Sequence, residues 1–167
     1  KGAIVNMKTS VESVDTKTKT ITVKNLETQE TIKDTYDDLI IATGSIPIIP
    51  KISGIELENI FPVKLFQDAH KAIEKLNDTS IKNVTIVGAG YIGLELAEAY
   101  AKNGKNVTVI DVLEEVLPRY FDSNFSQLME KKLKENNIKL MLGETVTGFT
   151  GKDGKVSQVI TNKKTID

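Results

Sequence analysis

The chain has 167 residues, of which 40% are hydrophobic and 27% are charged, and its formal net charge is -1. Acidic and basic residues are interspersed, which is typical of a globular domain and gives no indication of a nucleic-acid or membrane partner. The lack of cysteine excludes disulfides and thiolate nucleophiles within the chain, and the single histidine, His70, excludes a multi-histidine metal site. We expect His70 to be an ordinary surface residue.

Two features of the sequence concern processing and targeting. No apolar run approaches the roughly 20 residues of a membrane-spanning helix, and no signal peptide is recognisable. The chain begins at Lys1 rather than at methionine, which leads us to expect a fragment of a longer protein.

The first third of the chain has the pattern of paired strands. Residues 10–14 and 20–24 flank the polar stretch 15–18, which predicts a hairpin, and a third strand is expected near Thr31. The apolar run 39–44 ends at a glycine and predicts a buried strand that leads into a tight turn.

A proline- and glycine-rich stretch, residues 46–54, separates this part from the rest and predicts a linker. We therefore divide the chain into a β segment, residues 1–50, and a larger domain, residues 51–167.

Beyond the linker the apolar residues take helical spacing, interrupted by short apolar runs. The first predicted helix covers residues 67–76, with Ala69, Ile73 and Leu76 on one side, and the second covers residues 91–102. The third contains Phe125, Leu128, Met129 and Leu133 at helical spacing, with Asp122 or Ser123 as its candidate N-cap. The predicted strands cover residues 84–87, 107–110 and 138–142. The β-α-β-α-β order indicates a Rossmann-like parallel sheet with flanking helices, and the turn signal Asp153-Gly154 indicates an antiparallel β-meander after it.

A G-x-G-x-x-G motif lies between the first two strands of this α/β pattern. It consists of Gly88, Ala89, Gly90, Tyr91, Ile92 and Gly93. In this context Gly88 allows a sharp turn, Gly90 lets the backbone approach a pyrophosphate, and Gly93 lets the helix pack closely on the strand. The free N–H groups at the helix start then face the phosphates. The motif therefore predicts a dinucleotide site.

An acidic residue at the end of the next strand indicates which dinucleotide binds. Asp111 follows Gly90 by 21 residues, where a carboxylate accepts hydrogen bonds from the adenine ribose and repels a 2′-phosphate. The nearest arginine is Arg119, and Glu114 and Glu115 lie between the two. The sequence therefore favours NADH over NADPH.

Three stretches resemble the flavin- and NAD-dependent disulfide reductase superfamily, in the branch of NADH oxidases, NADH peroxidases and coenzyme A-disulfide reductases. Residues 36–45 resemble the "ATG" segment of the flavin domain, and residues 47–54 resemble the branch's proline-rich crossover. Residues 87–97, followed by a strand that ends at Asp111, resemble its NAD fingerprint.

The resemblance implies NAD(H) and FAD as cofactors and assigns further roles at the NAD site. Ile92 would touch the dinucleotide through its backbone, and Tyr91 resembles the tyrosine that covers the flavin until NADH displaces it. Glu95 resembles the glutamate that binds the nicotinamide amide, and Tyr120 resembles an aromatic residue at the adenine end.

On the flavin side, the resemblance implies backbone contacts from Ala42, Thr43, Gly44 and Ser45 and a basic contact from Lys64. The family's flavin ADP fingerprint, redox cysteine and dimerisation domain have no counterpart in these residues. We therefore expect the chain to be a middle segment that is inactive and colourless alone. The intact enzyme would be a cytoplasmic homodimer that transfers hydride from NADH to FAD.

The resemblance also leads us to expect that the last parallel strand of the family's NAD domain lies just beyond Asp167 and is absent from these residues. We hypothesise that residues 39–43 fill this slot beside the strand 84–87, within the chain or by exchange between two chains.

Several alternatives remain open from the sequence. The second substrate of the intact enzyme could be oxygen, a peroxide or a disulfide. A non-catalytic dinucleotide-binding sensor is a rival interpretation, although it has no use for residues 36–45. A dehydrogenase that passes hydride directly from NADH to a small substrate would need a substrate domain.

Overall fold

A computed structural model describes residues 2–167 of the chain. The backbone forms two compact units, of which the first ends at Ser45 and the second comprises Ile46–Asp167. The sequence predicted the boundary five residues later, after Pro50.

The first unit is an antiparallel meander of three strands. Strand β1 (Thr9–Asp15) pairs with β2 (Thr20–Asn25), which pairs with β3 (Thr31–Thr35). The predicted hairpin and third strand are thus confirmed. In the first turn the Asp15 carboxylate accepts the N–H groups of Lys17 and Thr18 at 2.9 and 3.2 Å.

The predicted strand at residues 39–44 is wrong. These residues form neither helix nor strand, and Ile40 and Ile41 are 88% and 75% exposed. A buried strand needs a neighbouring strand and a covering layer, and the first unit is a single sheet whose third strand is exposed at every position. The apolar run therefore has no layer to bury it in this unit.

The second unit is built on a parallel sheet with the order β4-β5-β6. Its elements are α1 (Phe66–Asn77), β4 (Asn83–Val87), α2 (Tyr91–Lys102), β5 (Asn106–Asp111), α3 (Ser123–Glu135) and β6 (Lys139–Leu142). Strand β4 pairs in register with β5, for example Val84 with Val107. These elements and the Rossmann-like fold class agree with the sequence prediction.

The outer edge of β4 is unpaired in the part of the chain that the structure describes, because β5 is its only strand partner there. The hypothesis that residues 39–43 fill this slot within the chain is therefore wrong.

The meander predicted after the parallel sheet is present and covers one sheet face. It consists of β7 (Val146–Lys152), β8 (Lys155–Thr161) and β9 (Thr165–Ile166). Phe149 and Val159 from the meander pack with Ile110 and Met141 from the parallel sheet. The opposite face carries Val107 and Val109, which pack with residues of α2 and α3. Because successive strand residues face opposite sides, β5 contributes to both cores.

Two helices bury less of their apolar stripe than their spacing suggests. Asp122 caps α3 by accepting the Phe125 N–H at 3.2 Å, as one of the two predicted caps. Of the four apolar residues predicted to share a face of α3, only Leu133 is buried, whereas Phe125 and Leu128 are more than 60% exposed. In α1 the buried residue is Ala72, and Ile73 is exposed. Periodicity identifies residues on one side of a helix but does not identify what covers them.

Candidate dinucleotide-binding site

The glycine motif lies where β4 ends and α2 begins, which is the edge of a parallel sheet at which ligands bind. Gly90 is the N-cap residue of α2, with extended backbone angles, and its carbonyl oxygen accepts the Leu94 N–H at 3.0 Å. No side chain caps this helix start. The first N–H groups of α2 are therefore available to an anion, and the positive end of the helix dipole favours one.

The three glycines of the motif meet three different steric demands. Gly88 has φ +114°, which favours glycine over every other residue. A Cβ on Gly90 would meet no atom within 4 Å and would project into open space beside the loop. A Cβ on Gly93 would overlap the Gly88 carbonyl oxygen. The turn and the helix packing require Gly88 and Gly93, whereas the fold itself does not require Gly90.

Asp111 ends β5 beside this loop. Its Oδ2 accepts the Ala89 N–H at 2.6 Å, and its Oδ1 accepts the Leu113 N–H at 2.8 Å. A carboxylate offers about four acceptor positions, so both oxygens can still accept hydrogen bonds from a ligand. The carboxylate is held in one orientation by the backbone of two loops.

The two tyrosines predicted at the site lie in contact with each other. The rings of Tyr91 and Tyr120 meet edge to face, with centroids 5.8 Å apart and an interplanar angle of 89°. Both side chains are about 60% exposed. Glu95 lies one turn beyond Tyr91 on α2 and is exposed, and Ile92 is 41% exposed. All four are accessible to a ligand at the helix start.

The residues predicted to contact a flavin belong to different units of the chain. Those in the first unit, Ala42, Thr43, Gly44 and Ser45, are exposed and outside any strand. Gly44 has φ +73° and open space at its Cβ position. Lys64 is in the second unit, just before α1, where its backbone N–H donates to the Asp68 carboxylate at 3.0 Å. The N–H groups of Leu65 and Lys64 lower the pKa of Asp68.

Leu117 also contacts this site, although nothing in the sequence indicates it. It is buried, and its N–H donates to the Ala89 carbonyl oxygen at 3.2 Å. Its φ is +53°, and leucine gives no signal for that conformation.

The described residues, 2–167, contain no group of three or more side chains suited to hold a metal ion. Within the same residues, no helix has both the length and the apolar character to cross a membrane.

Comparison with known proteins identifies the family. The model of the pyridine nucleotide-disulphide oxidoreductase family matches residues 1–167. The chain belongs to this family. It is 44% identical over 180 residues to an NADH oxidase of Streptococcus pneumoniae, with all of this chain and 39% of that protein covered. It is 45% identical over 161 residues to an NADH oxidase of Enterococcus faecalis, with 96% and 36% covered. The chain thus spans about two fifths of the length of the relatives it matches.

Solved structures show the same fold. The water-forming NADH oxidase of Lactobacillus brevis, bound to NADH, matches with a TM-score of 0.85 and 37% identity over 95% of this chain and 35% of that protein. An engineered NADPH oxidase derived from it, bound to NADPH, matches with a TM-score of 0.85 and 35% identity, with the same coverage.

Proposed function

We propose that this chain is the NAD(H)-binding part of an FAD-dependent NADH oxidase. The observation that carries the proposal is the orientation of Asp111, whose carboxylate is fixed at the end of β5 beside the open start of α2. The relatives with 44% and 45% identity are NADH oxidases, which supports the same function.

The proposed roles at the NAD site follow from the positions of the groups. The backbone from Gly88 to Gly93, including Ala89, Gly90 and Ile92, and the dipole of α2 bind the pyrophosphate. Asp111 accepts hydrogen bonds from the adenine ribose, and Tyr120 provides an apolar surface at the adenine end. Glu95 binds the nicotinamide amide, and Tyr91 moves aside when NADH enters.

The spacing of substitutions in the engineered oxidase supports a preference for NADH. That enzyme carries five substitutions. One replaces a glycine, and one replaces an aspartate 18 residues later. Two more replace the residues directly after that aspartate, and the last replaces a proline seven residues after it. Two of the replacements introduce arginine, and the aspartate becomes alanine. This chain has Gly93, Asp111 and Pro118 at the same spacing. In this chain, Val112 and Leu113 follow the aspartate instead of an arginine, which disfavours a 2′-phosphate.

The intact enzyme would also bind FAD, with Ala42, Thr43, Gly44, Ser45 and Lys64 as part of its site. The exposed backbone and open Gly44 are compatible with a nucleotide at close range. When bound, the flavin supplies an acceptor for the hydride of NADH. The protein positions the nicotinamide through Glu95 and the glycine loop, which comprises residues 88–93. Residues 1–50 would belong to the flavin domain and residues 51–167 to the NAD domain.

Oxygen is the second substrate that the comparisons favour. The NADH oxidases named above are 44% and 45% identical to this chain, whereas an NAD-dependent persulfide reductase from A. fulgidus is 31% identical. The L. brevis neighbour is a water-forming oxidase. The intact enzyme would be a homodimer, with or without exchange of a strand between its subunits, and it would be cytoplasmic.

The test is a titration of the full-length protein with NADH and NADPH by calorimetry, followed by oxygen consumption with each. We expect tighter binding of NADH and oxidation of about two NADH for each oxygen consumed, without peroxide release. Equal affinity for both nucleotides contradicts the assigned role of Asp111. Tight NADH binding without oxygen consumption contradicts the oxidase assignment alone.

A further inference from the structure

The glycine loop is held by hydrogen bonds to the end of β5 and to the segment that follows it. The Gly88 N–H donates to the Ile110 carbonyl oxygen at 2.8 Å, and the Ala89 N–H donates to Asp111 Oδ2 at 2.6 Å. The Ala89 carbonyl oxygen accepts the Leu117 N–H at 3.2 Å. Both backbone polar groups of Ala89 are therefore bound within residues 111–117, and Ala89 is only 2% exposed.

Leu117 adopts an unfavourable backbone conformation to make its bond to Ala89. Its φ of +53° lies in the left-handed region, which leucine rarely occupies. Its side chain is 6% exposed and packs in the core that includes Leu94 and Val116. A residue keeps such a conformation only when its surroundings dictate it, and such residues concentrate at functional sites.

The carbonyl group of Leu117 extends the connection toward the start of α2. Its oxygen accepts the N–H groups of Tyr120 at 2.9 Å and Phe121 at 3.2 Å. The Tyr120 ring contacts Tyr91, the first residue of α2. The peptide groups on the two sides of Leu117 thus join the glycine loop to the aromatic pair at the start of the helix.

We propose that Leu117 is a positioning residue of the dinucleotide site, an inference that rests on the proposed function. Its left-handed backbone aims its N–H at Ala89, so that the glycine loop keeps the position in which its backbone can approach a pyrophosphate. The loop makes its contacts with the phosphates through backbone groups, and a shift of the Ala89 peptide moves those groups with it. Leu117 thereby affects NADH affinity without touching NADH.

Three substitutions separate the backbone of Leu117 from its side chain. Leu117→Met keeps the side-chain volume, and methionine, which is not β-branched, occupies positive φ about as readily as leucine does. Leu117→Ile keeps the volume, but a β-branched residue is a severe outlier at positive φ. Leu117→Gly accepts positive φ readily and loses the side chain. Leu133→Ile is the matched packing control, because Leu133 is a buried leucine of the same core on α3.

The measurements are the thermal midpoint and the NADH dissociation constant of the full-length protein, with the unsubstituted protein measured first. We expect Leu117→Ile to weaken NADH binding about tenfold, while the Met and Gly variants stay within about threefold. Both Ile and Gly should lower the thermal midpoint, and Leu133→Ile should lower it without changing affinity. Across these variants the NADH affinity should therefore depend on the backbone conformation of residue 117 and not on the stability of the fold.

Different outcomes contradict the two proposals. If the unsubstituted protein does not bind NADH, the proposed function fails. If it binds NADH and the Ile and Met variants bind equally well, the positioning role of Leu117 is wrong. If Leu117→Ile does not fold, Leu117→Ala is compared with Leu117→Gly, because both lose the side chain beyond Cβ and only glycine accepts positive φ readily. Weaker NADH binding by the Ala variant than by the Gly variant supports the role, and equal affinity of the two overturns it.

Discussion

The carboxylate of Asp111 accepts the backbone N–H of Ala89 at 2.6 Å, which joins the end of β5 to the glycine loop that follows β4. Its other oxygen accepts the Leu113 N–H. The residue assigned to the adenine ribose is therefore also part of the scaffold that shapes the loop. A substitution at Asp111 changes the charge at the site and the position of the loop together.

The first prediction concerns Asp111→Asn. An amide side chain has one acceptor oxygen, so either Ala89 or Leu113 loses its partner and faces an NH₂ group. We expect the free energy of unfolding to fall by about 1–3 kcal/mol and NADH to bind at least about tenfold more weakly. The preference for NADH over NADPH should also fall, because the negative charge beside the 2′-position is gone. Calorimetry with both nucleotides measures the two effects.

The control for this substitution is Asp153→Asn. Asp153 is exposed in the β7–β8 turn with φ +53°, a conformation that asparagine adopts well. This variant should keep the stability and the nucleotide preference of the unsubstituted protein. An unchanged ratio of NADH to NADPH affinity in Asp111→Asn would contradict the role of the carboxylate in selectivity.

The second prediction concerns Gly90. Its φ is -79° and its Cβ position is open, so Gly90→Val should fold with a thermal midpoint within a few degrees of the original. The valine side chain would occupy the space assigned to the pyrophosphate, and NADH binding should be lost. Titration of the folded variant, with its circular dichroism spectrum as a check, provides the test.

Gly93→Ala is the matched comparison for Gly90→Val, because its added methyl group meets the Gly88 carbonyl oxygen. We expect a loss of about 1–3 kcal/mol in the free energy of unfolding from overpacking. If Gly90→Val binds NADH normally, the loop is only a turn. If Gly93→Ala is as stable as the unsubstituted protein, the close packing of α2 on the loop is not required.

The parts of this fold that depend on local signals could be predicted from the sequence. Turn residues such as Asp153 and Gly154 and the period of the apolar residues locate the helices and most strands. The glycine motif and Asp111 indicate the candidate site because their spacing reflects the geometry of one β-α-β unit. In each case the residues that give the sequence pattern are the same residues that form the turn, the helix, the strand or the candidate site.

The features that depend on distant partners could not be predicted in this way. The run 39–44 resembles a buried strand, but in its own unit no layer covers it. The left-handed backbone of Leu117 has no signature in a leucine, and it arises from packing and from a bond to Ala89, 28 residues earlier. Burial and backbone conformation at such positions are set by tertiary contacts.

The third prediction compares two leucines on α3. Leu133 is 7% exposed and packs in the main core, whereas Leu128 is 64% exposed. In residues 1–167 expressed alone, Leu133→Ala should lower the free energy of unfolding by about 2–5 kcal/mol, and Leu128→Ala should change it by less than about 0.5 kcal/mol. Urea unfolding followed by circular dichroism distinguishes the two. Equal losses would show that Leu128 is covered in solution, for example by a second copy of the chain.

The last prediction concerns the contact between α1 and α2. The buried Tyr100 hydroxyl donates to the Ala72 carbonyl oxygen at 2.8 Å, and burial raises the pKa of Tyr100 above its ordinary value. At neutral pH, Tyr100→Phe should lower the free energy of unfolding by about 1 kcal/mol through loss of this bond.

The pH dependence of this effect has a definite sign. An acid whose pKa is raised by folding stabilises the fold fully below its unfolded pKa, and this contribution is lost as the pH rises through the folded pKa. For Tyr100 that loss begins near pH 10, the ordinary pKa of tyrosine. Urea unfolding at pH 7 and above pH 10 should therefore show a smaller difference between the two proteins at the higher pH. Residue 100 of the phenylalanine variant has no hydroxyl to ionise, whereas all other groups titrate in both proteins. A difference that stays constant across this range would mean that the Tyr100 hydroxyl is open to water in solution.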